Sequence, residues 1–312
     1  MKERVREILS WYANENPGVR TNLARILNHG KLGGTGKLLI LPVDQGFEIG
    51  PVRSFAPNPE AYDPRYHFQF AIDAGFSAYA APIGFLEAGV SDYCGEIPLI
   101  LKCNSMDSLQ SGNEFKSTIT STVESALRLG CVGIGFTIYT GSTLRSEMYE
   151  QLSEFAAQAK AAGLAVVVWS YPFGINLERE EWRSVDTTAY TTHIAAQIGA
   201  HIIKVLFPTS RVEQTAAKET YQQYQIPVED PADRIRHIVQ AAFNGRRLVI
   251  FSGGPFNDEE QLLAQARAIR AGGGFGSIIG RNSFQRKKED AQKLINRLID
   301  IYADEEKHEH PL

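Results

Sequence analysis

The run HIIKVLF (201–207) carries one lysine, Lys204, with apolar neighbours and no acid within the run. Lysine is rarely buried unless paired, because an ammonium leaving water loses most of its hydration. Desolvation and nearby cations lower an amine's pKa, and a neutral amine can attack a carbonyl to form a Schiff base. A lysine that snorkels at a rim, or pairs with an acid from another strand, would look the same in sequence. In LAVVVWSY (164–171), Trp169 and Tyr171 are two apart. In a strand they face one way with Val167, while Val166, Val168 and Ser170 face the other. A tyrosine hydroxyl at the end of that stripe can pass protons to and from a substrate. Aromatic core filling is the alternative, more so for Trp169 than for Tyr171.

Asp44 directly follows LLILPV (38–43) and could orient a substrate hydroxyl, serve as a base, or cap a helix. Lys102, in PLILKC (98–103), could hold a phosphate or steady Asp44 as an ion pair. Two glycine-bearing segments suit an anion: Ser252-Gly253-Gly254 and Gly280-Arg281-Asn282. Glycine lets backbone N–H groups approach an oxyanion, and Arg281 adds a bidentate cation. Plain turn chemistry explains either segment alone, but less readily both.

These residues share a position: each lies within or just after a short apolar run. Eight such runs, rich in β-branched residues, recur: 38–43, 77–83, 98–103, 132–139, 164–171, 201–207, 247–253 and 276–281. Amphipathic stretches separate them, among them 66–75, 121–130, 149–163 and 258–272, each ending in Gly. That alternation predicts right-handed βαβ units around a parallel sheet covered on both faces. Eight units in about 245 residues match a (β/α)8 barrel, whose chemistry lies at the C-terminal strand ends and whose phosphate sites often follow strands seven and eight. A doubly wound open sheet would show a phosphate fingerprint after strand one, where DQGFEIG stands instead. The sequence therefore predicts a TIM barrel over 37–303. A helical extension over 1–36 should pack outside or below it, and the tail at 304–312 should be mobile.

Composition narrows the partners. The chain has 312 residues, 43% of them hydrophobic, and 32 Lys and Arg against 36 Asp and Glu for a net charge of −4. That balance offers no field for a nucleic-acid backbone or an anionic membrane, though a local small-anion site remains open. No apolar run has the length of a membrane span, and charges interrupt the first segment where a signal peptide would be apolar. Cys94, Cys103 and Cys131 are odd in number and lack CxxC spacing, so disulfides and a thiolate zinc site are poor fits. GGTGK (33–37) precedes a strand and lacks the Ser or Thr of a P-loop, and GGGFGS (272–277) also leads into a strand. The histidines form no HExxH pairing, and the HxH at His308 and His310 lies in the tail, so a catalytic metal is not expected. A cytoplasmic protein without metal or other cofactor is the expectation.

LPVDQGFEIGP (41–51), VVVWSYP (166–172), GAHIIKV (199–205), VIFSGG (249–254) and SIIGRNSFQR (277–286), in this order, resemble the bacterial and archaeal-type class I fructose-1,6-bisphosphate aldolases over about residues 37–300. The dideoxyheptulosonate synthases and an aldolase-like enzyme acting on phosphorylated autoinducer-2 share parts of these motifs. The resemblance implies a Schiff-base role for Lys204, proton transfer by Tyr171, and substrate contact with assisted proton transfer by Asp44. It makes Trp169 an active-site tryptophan. Phosphate would bind at Gly253, Gly254, Gly280 and Arg281, with Ser252 beside them. Lys102 receives no role from it and stays a candidate substrate or phosphate contact on position alone. The implied reaction is metal-independent, reversible cleavage of a phosphorylated sugar, as in glycolysis and gluconeogenesis. The implied assembly is a homo-oligomer, commonly a decamer. Two other readings remain: the same imine chemistry on another phosphorylated ketose (a transaldol or heptulosonate-type synthase), and a barrel that binds sugar phosphates without turnover.

Overall fold

The structure, a computed structural model, describes residues 1–109, 114–174, 178, 180–254 and 258–304. Eight parallel strands close a barrel: β1 (Leu38–Pro42), β2 (Ala78–Pro82), β3 (Leu99–Lys102), β4 (Gly133–Tyr139), β5 (Ala165–Tyr171), β6 (Ile202–Val205), β7 (Leu248–Ser252) and β8 (Gly276–Ile278). Each strand pairs with its sequence neighbours, and β1 closes the ring on β8 with Leu38 opposite Gly276. Closure excludes the open doubly wound sheet. All eight strands coincide with the apolar runs, trimmed by a residue or more at most ends. The eighth is shortest. It stops at Ile278, and Arg281, placed in that run by its sequence, instead opens a short helix, Arg281–Phe284.

Local chemistry sets the helices between strands. Asp63 caps Pro64–Ala74 by accepting from Arg65 N (2.9 Å), with proline in the first turn, and Gly75 ends it in the left-handed region (φ 79°). Helices Arg145–Ala161 and Glu259–Ala271 cover the barrel where amphipathic patterning predicts them. The second of these passes Gly272 in a right-handed conformation, and its positive-φ stop is Gly273.

Helices Glu3–Ser10 and Pro17–Asn28 precede the barrel and seat against its base. Tyr12 Oη donates to His201 O (2.8 Å), and Asn22 Nδ2 to Gly163 O (2.8 Å). Glu15 lies 3.1 Å from His201 Nε2 and 2.9 Å from Lys160 Nζ, which together hold its carboxyl down at about 2. His201 therefore belongs to the base, on the opposite face of β6 from Lys204. The tail beyond Asp304 lies outside the described residues.

On the mouth side, the segment after β1 is clamped to the segment after β8. Asn58 Nδ2 donates to Phe284 O (2.9 Å), and Gln285 Nε2 to the carbonyls of Arg53 and Ser54 (2.9 Å each). Phe55, Phe85 and Phe284 pack around His67, with ring centroids 5.7, 5.7 and 5.5 Å away. His67 is fully buried, its Nε2 lies 2.8 Å from Ala61 O, and burial holds its pKa down at about 4. The folded state thus favours the neutral ring. The resulting stability is complete above the unfolded value near 6.5 and is lost as pH falls through that value toward 4, about 3 kcal/mol in all. His67→Gln keeps a donor for Ala61 O but cannot titrate. Urea unfolding at pH 7 and pH 4.5 should show the variant losing about 2 kcal/mol less between them than wild type. Equal losses would show that His67 does not titrate across this range.

Candidate active site

Ser170 fixes which way β5 faces. Its Oγ donates to Thr191 O (2.8 Å), in helix Val185–Gln197, so Ser170 points outward and Trp169 and Tyr171 point into the barrel. Trp169 is paired in register with Lys204 on β6. The indole needs space on β4, and Gly135 provides it: a Cβ there would stand 2.7 Å from Trp169 Cζ3 and 3.3 Å from Lys102 Cδ. Any larger residue would push the ring onto the lysine.

Lys204 Nζ lies 5.3 Å from the Trp169 ring centroid and 5.7 Å from that of Tyr171. The side chain is 5% exposed and has no carboxylate within 4 Å among the described residues. Neither bland reading of the sequence, rim snorkelling or a direct ion pair, describes it. Burial lowers its pKa, Asp44 and Glu48 partly restore it, and Lys102 and Arg281 lower it further. An amine in that balance has a usable neutral fraction near neutral pH.

Two acids follow β1. Asp44 occupies the N-cap position of the one-turn helix Gln45–Glu48, yet its side chain makes no capping bond. It is 2% exposed, and both carboxylate oxygens are buried without a hydrogen-bond partner among the described residues. Capping thus does not explain Asp44. Glu48 has its pKa raised, first by burial and then by Asp44, against the pull of Lys102, Lys204 and Arg281. Two carboxyls near one lysine, with different environments, can divide acid and base duties. Burial raises the Tyr171 pKa well above the ordinary phenol value, and the two acids add to it. The hydroxyl stays protonated and can donate.

The cavity at the barrel mouth encloses about 430 Å3, within the usual range for small-molecule sites. Seven of the ten sequence candidates line it: Tyr171, Lys204, Ser252, Gly253, Gly254, Gly280 and Arg281. Asp44, Trp169 and Lys102 lie outside its wall. Lys102, expected as a substrate or phosphate contact, is not among the residues that line this cavity. Its ammonium donates to Asn104 O and Oδ1 (3.3 Å to the latter) and sits 5.5 Å from the Trp169 ring, on β3, three strands from β8. The carbonyl two residues on holds the ammonium on β3, away from the segments after β7 and β8.

Those loops are joined to each other, since Asn282 Nδ2 donates to Gly253 O (3.1 Å). Gly253 N–H donates to Ile278 O and Gly254 N–H to Ser252 Oγ, both at a long 3.3 Å. A phosphate oxygen would out-compete such bonds. Gly254 has φ 70°, and a Cβ on Gly280 would meet Pro42 O at 2.6 Å, so both positions require glycine.

Sequence reasoning left other wall residues without a role. Glu48 stands inside the quoted LPVDQGFEIGP segment, four residues from Asp44. That one-turn spacing was the available signal. Across the mouth, Tyr171 stacks on Phe173 (4.8 Å, 6°), which packs on Trp182 (4.3 Å), with Phe115 5.4 Å from Trp182. Arg183 follows in the same wall. Among the described residues, no group of three His, Cys, Asp or Glu side chains could hold a metal.

A family model described as "DeoC/LacD family aldolase" matches residues 38–286. A protein of Chlamydia trachomatis named "Probable fructose-bisphosphate aldolase class 1" is 34% identical over 301 residues, covering 94% of this chain and 86% of that protein. The "Fructose-bisphosphate aldolase class 1" of Thermoproteus tenax is 34% identical over 278 residues, covering 89% and 94%. A solved archaeal fructose-1,6-bisphosphate aldolase, described with its catalytic Lys covalently bound to the carbinolamine intermediate of the substrate, superposes with a TM-score of 0.73 at 31% identity. That superposition covers 86% of this chain and 95% of the other.

Proposed function

The chain belongs to the DeoC/LacD family of aldolases, and from that premise we propose that it is a class I aldolase cleaving fructose 1,6-bisphosphate reversibly through a Schiff base on Lys204. The observation that carries this reading is Lys204 itself: a buried amine on the cavity wall, flanked by Trp169 and Tyr171, with no carboxylate in direct contact among the described residues.

The Lys204 amine attacks the C2 ketone to give a carbinolamine. Loss of water, with a proton supplied by Glu48 or Asp44, leaves a protonated imine. The C3–C4 bond then breaks, and its electrons flow into the imine to form an enamine. The C4 hydroxyl proton passes to the carboxylate and glyceraldehyde 3-phosphate leaves. Tyr171 protonates the enamine at the carbon that was C3. Water hydrolyses the resulting imine, releasing dihydroxyacetone phosphate and the free amine. The imine is the electron sink, so no metal or other cofactor is required. Arg281 and the segments at Ser252–Gly254 and Gly280 hold the phosphate of the dihydroxyacetone half, fixing C2 against Lys204. Such fixed positioning supplies several kcal/mol of barrier reduction. Lys102, pinned beneath the indole, adds positive charge that lowers the Lys204 pKa.

Treating the protein with borohydride in the presence of dihydroxyacetone phosphate should reduce the imine and leave a stable adduct on the Lys204 peptide. Cleavage of fructose 1,6-bisphosphate should continue in EDTA. An unlabelled protein, or turnover that EDTA abolishes, would reject the reading. The resemblance in sequence also supports a cytoplasmic homo-oligomer, commonly a decamer, with 37–303 as the catalytic barrel and 1–36 as its helical base. No described helix is long and apolar enough to cross a membrane.

A further inference from the structure

Three cationic side chains line the cavity among the described residues: Arg281, Lys204 and Arg183. The first two have roles above, and Arg183 does not. It comes from the connection after β5, as the last residue of the turn Glu181–Arg183, and is fastened to the segment after β6. Thr209 N and Oγ1 both donate to Arg183 O (2.6 and 3.1 Å), and Arg183 Nε donates to Phe207 O (3.1 Å). Backbone and Nε are thus anchored, while Nη1 and Nη2 have no hydrogen-bond or ion-pair partner among the described residues.

Acids close in sequence do not neutralise Arg183. Glu181 turns back to accept from Glu178 N (2.7 Å). The surroundings are apolar instead, with Phe173, Trp182, Phe115 and Phe207 in the same wall. A half-buried guanidinium whose two terminal nitrogens meet no counter-ion among the described residues is costly to maintain, and it binds an arriving anion strongly in that low-dielectric setting.

Strand order gives this cation a place along the substrate. Around the mouth come Arg281 after β8, Ser252–Gly254 after β7, Lys204 on β6 and Tyr171 at the end of β5, with Arg183 on the connection between β5 and β6, tied to Phe207. A ketose with phosphate on C1 at the first two groups and its C2 carbonyl on Lys204 extends its remaining carbons away from β7 and β8, toward the connection that carries Arg183. We propose that Arg183 binds the second, distal phosphate of the ketose bisphosphate, on the part that leaves as the phosphorylated aldehyde, and so sets selectivity for bisphosphates over 1-monophosphates. This assignment rests on the aldolase reading above.

The test compares fructose 1,6-bisphosphate with fructose 1-phosphate on wild type, Arg183→Gln, Arg183→Met and Arg183→Lys. Wild type should favour the bisphosphate in kcat/KM. In Arg183→Gln and Arg183→Met that preference should shrink by about 10- to 100-fold, mostly through KM, as expected for losing charge-assisted bonds. Arg183→Lys should recover part of it. Condensation should show the same pattern, with glyceraldehyde 3-phosphate losing its advantage over glyceraldehyde. Borohydride labelling with dihydroxyacetone phosphate, which lacks the distal phosphate, reports separately on the rest of the site. If wild type fails to label, the aldolase reading fails. If the variants label normally and keep the full bisphosphate preference, or lose rate equally on both ketoses, the Arg183 assignment fails. Should one neutral variant fail to label, the other neutral variant and Arg183→Lys still decide between these outcomes.

Discussion

Lys204→Met should abolish both covalent labelling and turnover, with kcat falling by about 10^4-fold or more, the scale seen when a covalent nucleophile is removed. Methionine fills nearly the same volume between Trp169 and Tyr171, so the barrel should remain folded. The electrostatics should change with the chemistry. Lys204 is one of the cations pulling the Glu48 pKa down, and without it Glu48 should titrate higher still. The informative control is Lys102, whose ammonium sits 5.5 Å from the same indole. It could in principle take over as the amine. It should not, because it is held by Asn104 and lies outside the cavity wall. Peptide mapping after borohydride treatment therefore separates the possibilities. Label on Lys102 in the variant, or undiminished label anywhere, would overturn the assignment of Lys204.

Why Lys204 was legible and Glu48, Arg183 and the fate of Lys102 were not comes down to the range of the interactions. A lone lysine in an apolar run, and two aromatics at a spacing of two, are local signals carried by strand periodicity. So are the eight apolar runs, whose alternation with helices specifies a parallel sheet and, with eight units closing it, which strand ends face the mouth. Glu48 sits in DQGFEIG, where no period holds, and reaches the cavity through a single helical turn. Arg183 and Trp182 reach it because the connection after β5 folds back over the mouth and is tied down by Phe207 and Thr209, more than twenty residues away. Lys102 shows the reverse case. Its strand position suggested a phosphate contact, but a two-residue ribbon, Asn104–Ser105 paired with Thr118–Ile119, turns a carbonyl onto its ammonium. Side-chain capture of this kind depends on backbone placement that no spacing rule encodes.

Tyr171→Phe should lower turnover by about 10^2- to 10^3-fold, the usual scale for losing a positioned proton donor, while leaving imine formation intact. The ring is held independently of its hydroxyl. It stacks on Phe173 and on Tyr139 and faces Lys204, so phenylalanine keeps the wall and removes one oxygen. Burial and the neighbouring acids keep the hydroxyl protonated throughout the physiological range, so no pH adjustment should imitate the variant. The step affected is protonation of the enamine. Run in reverse, that step is removal of a proton from the hydroxymethyl carbon of bound dihydroxyacetone phosphate. Its exchange with deuterated solvent, followed by NMR, should slow by the same factor as turnover, whereas borohydride labelling of Lys204 should proceed at the wild-type level. Exchange at the wild-type rate would move the proton to another donor, with Glu48 the first to examine on the same wall. Loss of labelling together with exchange would instead make Tyr171 a residue that shapes the Lys204 pocket. The two readouts separate these roles because imine formation precedes, and does not need, the proton that Tyr171 delivers.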